Sequence, residues 1–146
     1  MTTQEKNDFR LRKSEIISKD TEIKPLFMKG NYFMQSGLKT VFLVTKTDAA
    51  GQVKVLFTAP KKNIRLAVNR NRVKRLMREA FRQNKMEICA SATENKKDVT
   101  IAFIITSSAD ATWGEIERKI ILSLQRICKT IEINPKFNEI QKGKIQ

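Results

Sequence analysis

Apolar positions along this chain repeat with two different periods. Ile23, Leu26 and Phe27 fall at i, i+3 and i+4 around Lys24 and Lys29, and Gly30 stands where a left-handed cap would close the turn. The spacing predicts a short helix ending near Gly30. Residues 40–47 and 52–59 are rich in Val, Phe, Leu and Thr, and Asp48-Ala49-Ala50-Gly51 supplies turn chemistry between them, which reads as an antiparallel hairpin. Residues 32–34 mark a short extended piece ahead of it. Pro60 ends the second strand, because proline cannot donate to a central ladder.

Over residues 69–86 the period returns to 3.6. Val73, Leu76, Met77, Ala80 and Phe81 form one unbroken stripe, which predicts a helix with one face in a core. Residues 91–98 are polar and read as a loop. Residues 99–105 are continuously apolar and β-branched, as suits a central strand covered on both sides. Thr112-Trp113-Gly114-Glu115 has the spacing of a capping box and opens a helix that carries Ile116, Ile120, Leu124, Ile127 and Ile131 on one face, with Asn134-Pro135 as its stop. The order α-β-β-β-α-β-α places the chain in the α+β class. A length of 146 residues supports one domain, here 9–133, between an amino end (1–8) and a tail (134–146) expected to be disordered.

Charge changes the picture. The chain has 29 Lys and Arg, 15 Asp and Glu and no His, a formal charge of +14. Between Lys61 and Lys85 stand ten basic residues and one acid, Glu79, so most of the excess sits in one segment. At 100° per residue Arg70, Lys74, Arg78 and Lys85 share one ridge beside the apolar stripe, and Asn71, Arg75 and Arg82 share the next, while Arg72 falls on the other flank. A merely solvated face would leave these cations repelling one another. A stripe committed to a core, with no aromatic on the basic face, argues against a membrane surface. The arrangement points to a polyanion, and arginine in place of lysine suits bidentate phosphate contacts. Of the aromatic residues Phe27, Tyr32, Phe33 and Phe42, most are expected in the core, with one or two free to stack on unpaired bases.

Without histidine there is no Ser-His-Asp or Cys-His site and no imidazole metal ligand, and the carboxylates are scattered rather than paired. No catalytic residue, metal site or cofactor is expected on these side chains. Cys89 and Cys128 show no metal spacing, and the polar start and short apolar runs suggest a cytoplasmic protein.

Residues 69–82, Asn-Arg-Asn-Arg-Val-Lys-Arg-Leu-Met-Arg-Glu-Ala-Phe-Arg, closely resemble the signature helix of the bacterial ribonuclease P protein family, R-N-R-[IV]-K-R-L-x-R-x-A-F, at every specified position. Phe9 to Lys13 resembles that family's amino-terminal segment, residues 23–30 its first helix, Lys61-Lys62 its lysine turn, and residues 98–105 its central strand. The resemblance implies a small α+β domain with a left-handed βαβ crossover, shared with a domain of a small-subunit ribosomal protein. It further implies a subunit of the ribonucleoprotein that removes the 5′ leader of precursor tRNA, with the catalytic centre and its Mg²⁺ in the RNA subunit. By analogy Lys61, Lys62, Arg70, Asn71, Arg72, Lys74, Arg75, Arg78 and Arg82 face RNA. A cleft between the first helix and the sheet, with Phe27 and either Phe42 or Val44, would hold the single-stranded leader. The implied partners are the catalytic RNA and precursor tRNA, with no membrane and no inferable protein partner. A ribosomal or RNA-chaperone protein is the alternative, and a nuclease cutting with its own side chains is a second.

Three features depart from the family pattern: an insertion before residue 23, a glycine-free and longer turn at residues 63–66, and proline at residue 60.

Overall fold

The computed structural model describes residues 11, 13–17, 20–35, 37–106 and 112–133; the expectations for residues 1–8 and 134–146 and for the Asn134-Pro135 stop lie outside them. A 3-10 turn at Lys13–Glu15 leads to helix α1 (Asp20–Lys29), strands β1 (Asn31–Gln35), β2 (Leu38–Lys46) and β3 (Val53–Thr58), helices α2 (Ala67–Asn84) and α3 (Met86–Glu94), strand β4 (Lys97–Ile105) and helix α4 (Trp113–Ile133). The α+β class and the expected order of elements hold, with α3 added.

The sheet order is β1-β2-β4-β3. The expected hairpin is therefore not formed, since β4 lies between β2 and β3, antiparallel to the first and parallel to the second. The reason lies in how much of each strand must be covered. In β4 Val99, Ile101, Ala102, Phe103 and Ile105 are all buried, and a strand apolar on both faces gains most at the centre. The connection between β2 and β3 arches over the start of β4. Thr47 N–H donates to Lys96 O, Gln52 N–H to an Asp98 carboxylate oxygen, and Val99 N–H to Gln52 O. Gly51 makes that arch possible, because a Cβ there would stand 2.0 Å from Lys97 O and 2.2 Å from Ala92 O.

The expected loop at residues 91–98 is another correction. Its first part belongs to α3, where Ile88 and Ala92 are buried in the main core and Ser91 Oγ donates to Glu132 of α4. Residues 91–94 lack a strong helical pattern of their own, so packing decided their state. The chain leaves α3 through Lys96 at φ 53°. Gly30 also differs from expectation. It keeps a negative φ, and its need is steric, since a Cβ would meet Leu26 O at 2.4 Å and Phe42 O at 2.7 Å.

Helices α2, α3 and α4 cover one face of the sheet and enclose the main core. Phe57 and Phe103 stack at 5.9 Å between centroids, and Phe81 of α2 packs edge-on to Phe57 at 6.0 Å, fixing the helix against the sheet centre. On α4 the stripe Ile116, Ile120, Leu124, Ile127, Ile131 is buried as its spacing requires, and Thr112 Oγ1 accepts the Glu115 N–H at the helix start. The other face is covered only in part. Leu26 of α1 is buried there with Ile17, Val41 and Ala102, while Ile23, Leu43, Leu56 and Ile104 stay half-exposed around them. Residues 16 and 17, within the insertion, run beside β3 through Ile17 N–H to Val55 O, so they cover the strand's outer edge.

Candidate nucleic-acid interface

Helix α2 holds its basic side chains in place because Val73, Met77, Ala80 and Phe81 anchor the opposite side. Burial of one such large side chain is worth roughly 1.5–3 kcal/mol, far more than any single exposed ion pair, so the stripe sets the helix's rotation. Asn71, Arg75 and Arg78 are exposed and Lys74 is half-exposed, all within one arc. Arg72 is exposed on the far flank, as its spacing requires.

Three members of the ridge do something else. Arg70 turns back on the preceding segment, and its Nη1 donates to Ile64 O at 3.1 Å and Arg65 O at 2.8 Å. Arg82 is held by Glu79, with Nε 3.1 Å from both carboxylate oxygens. That contact pulls the Glu79 carboxyl below its ordinary range, against a smaller opposing effect of desolvation, and raises Arg82. Lys85 is buried and pairs with Glu15 at 2.9 Å, so it leaves the ridge altogether.

Lys61 and Lys62 are exposed on a turn in which Pro60 O accepts both the Asn63 and Ile64 N–H groups. No residue of this turn adopts a positive φ, so glycine is not required there. Asn63 Nδ2 donates to Ile105 O at 2.9 Å, and with Arg70 it ties the turn to the sheet from one side and to α2 from the other. Sequence spacing carried no sign of this brace, because its acceptors are backbone carbonyls.

The two cleft aromatics separate. Phe27 of α1 is 47% exposed, whereas Phe42 is 0% exposed and packs on Phe33 at 5.8 Å. Phe42 thus has no ring face to offer, and Val44 also packs against the main core. The strand register explains why. Residues 38, 40, 42 and 44 point to the three-helix face and residues 39, 41 and 43 to the partly open one. On that open face stand Tyr32, 42% exposed, and Met34, with Lys39 Nζ 4.8 Å from the Tyr32 ring centroid. Alternation along β1 was the signal that could have found them, once Phe33 was taken as core.

The described residues contain no group of three or more Cys, Asp or Glu that could hold a metal ion and no helix long and apolar enough to cross a membrane. Burial raises both thiols, Cys128 to about 12. The arrangement offers fixed cations and exposed rings, the two things that phosphates and unpaired bases take up.

Residues 11–128 match the protein-family model for ribonuclease P. The ribonuclease P protein component of Porphyromonas gingivalis strain ATCC 33277 is 35% identical over 131 residues, covering 90% of this chain and 96% of that protein. That of Chlorobium phaeobacteroides is 39% identical over 93 residues, 62% of this chain and 64% of its own length. Among solved structures, the Staphylococcus aureus RNase P protein at 2.0 Å superposes with a TM-score of 0.58 over 81% of this chain and 98% of that one. At 20% identity that likeness speaks to the fold.

Proposed function

This chain belongs to the ribonuclease P protein family, and we propose that it serves in the holoenzyme by binding two RNAs through two different surfaces. As a ribonuclease P protein component it is a subunit of the endoribonuclease that matures tRNA 5′ ends, in which the RNA carries the catalysis. In this reading the exposed arc Asn71, Lys74, Arg75 and Arg78, with Arg72, Lys61 and Lys62, docks on the catalytic RNA. Arg70 acts from behind by holding the lysine turn, and Arg82 joins the contact when phosphate displaces Glu79. The catalytic Mg²⁺ belongs to that RNA, and the reaction takes place in the cytoplasm.

The partly open sheet face, with Phe27 and Tyr32, takes the single-stranded 5′ leader of precursor tRNA. Phe42 is left out of this surface. Only the precursor has a leader, so contacts here favour precursor over product. The protein cations also screen phosphate repulsion where the two RNAs meet.

The observation that carries the proposal is the arc of cations fixed on a helix by a buried stripe. The test is cleavage of precursor tRNA at low Mg²⁺ by a bacterial ribonuclease P RNA, with the protein, without it, and with the protein alone. Stimulation only in the mixture is the expected result. Cleavage by protein alone, or no stimulation of the cognate RNA, would overturn it.

A further inference from the structure

Between the lysine turn and the start of α2 lies an open groove of about 1170 Å³. Its lining is an unusual mixture. Lys61, Lys62 and Arg65 bring three cations, Leu66 brings apolar surface above the buried Ile64, Asn69 brings an amide, and no lining residue is acidic. Leu66 is 62% exposed, and Val68, just beyond it, is 70% exposed. Leu66 also occupies the N-cap of α2, where Ser, Thr, Asp and Asn are preferred, and makes no capping bond. Here the chain forgoes a better helix start and keeps a leucine in water within its most basic segment. Local rules broken together without a structural return mark a functional position.

We propose that this groove seats one unpaired nucleotide of the catalytic RNA. The base lies flat on Leu66, and its flanking phosphates sit among Lys61, Lys62 and Arg65. The Asn69 amide stands where a base edge would be, with a donor and an acceptor to offer. Charge complementarity requires an anionic occupant, and the apolar wall requires one with a face to stack, conditions that an unpaired nucleotide meets together. The groove exists before binding, because Asn63 and Arg70 pin its backbone. The catalytic RNA is its source because Lys61 and Lys62, which line the groove, and Arg72, on the flank of α2 nearest Asn69, belong to the surface assigned to that RNA above, so this inference rests on the function proposed there.

The test measures binding of the full chain to ribonuclease P RNA, with salt dependence and thermal unfolding, for Leu66→Ser and Leu66→Phe. Serine should raise Tm by supplying the missing cap, yet weaken binding by about tenfold, the worth of the lost apolar contact with one base, with the slope of log Kd against log salt unchanged. Phenylalanine should bind at least as tightly as leucine. A serine variant that binds like the parent overturns the inference, as does one that loses Tm along with affinity, which would place Leu66 in the fold's own packing. A defect seen only with precursor tRNA and dependent on its leader would overturn the assignment to the catalytic RNA. Failure of the parent chain to bind the RNA would instead reject the function itself.

Discussion

Glu79 and Arg82, three residues apart on α2, bind each other through both carboxylate oxygens, so the only acid in the basic segment neutralises one of its arginines. The contact lowers the Glu79 pKa, so its stabilising effect is present above the ordinary carboxylate value and is lost as pH falls through the lowered one. At neutral pH the pair is closed. Glu79→Gln should release Arg82, tighten binding to the catalytic RNA at low salt, and steepen the salt slope by about 0.7–0.9. An unchanged slope would show that Arg82 does not reach phosphate.

Arg75 and Arg70 should respond differently to the same conservative change. Arg75 is exposed, so Arg75→Lys keeps most of the affinity while Arg75→Ala flattens the salt slope by about 0.7–0.9. Arg70 spans two carbonyls of the turn, a geometry that lysine's single ammonium does not reproduce, so Arg70→Lys should weaken RNA binding several-fold. Faster amide exchange at residues 61–66 in that variant would locate the cause. Equal behaviour of the two lysine variants would refute the brace.

The two phenylalanines expected in the cleft should separate in stability and function. Phe42→Ala removes a fully buried ring and should cost about 3–5 kcal/mol in denaturant unfolding. Phe27→Ala should leave stability within about 1 kcal/mol and reduce the preference for precursor over mature tRNA.

Two glycine-to-alanine changes should have opposite signs. At Gly51 the new methyl meets backbone oxygens on both sides, and the loss should be about 3 kcal/mol or more. At Gly114, on the first turn of α4, it meets nothing within 4 Å, and the gain should be about 0.5–1 kcal/mol. Thermal unfolding of the pair checks both.

Both thiols should resist alkylation at pH 7. Burial raises both thiols above the ordinary value of 9.0, Cys128 to about 12, so both stay protonated at pH 7. For Cys128 the folded state binds the proton more tightly, so its contribution to stability is complete below that value and falls as pH rises towards about 12. Rapid labelling of the native protein at pH 7 would contradict this.

The helices whose side chains repeat at 3.6 were legible in the sequence. So was the arc Asn71, Lys74, Arg75, Arg78, because a stripe on one side of a helix dictates what the other side presents. The capping box at Thr112 was equally plain, since its partners lie three residues apart. The central place of residues 99–105 was legible too, but which segments would flank and pair with them was not. The hairpin reading joined strands neighbouring in sequence, and only competition for the covered central position put β4 between them. Phe42 and Val44 looked like cleft residues until the sheet fixed which parity faces the three helices. Lys85 read as part of the ridge until Glu15, seventy positions away, paired with it. Periodicity by itself determined which side chains of α2 share a face, because helix geometry is local. Which of those cations stay available to RNA, and which brace the turn or the core, was decided by tertiary packing, because burial and pairing depend on neighbours that the chain brings together only when folded.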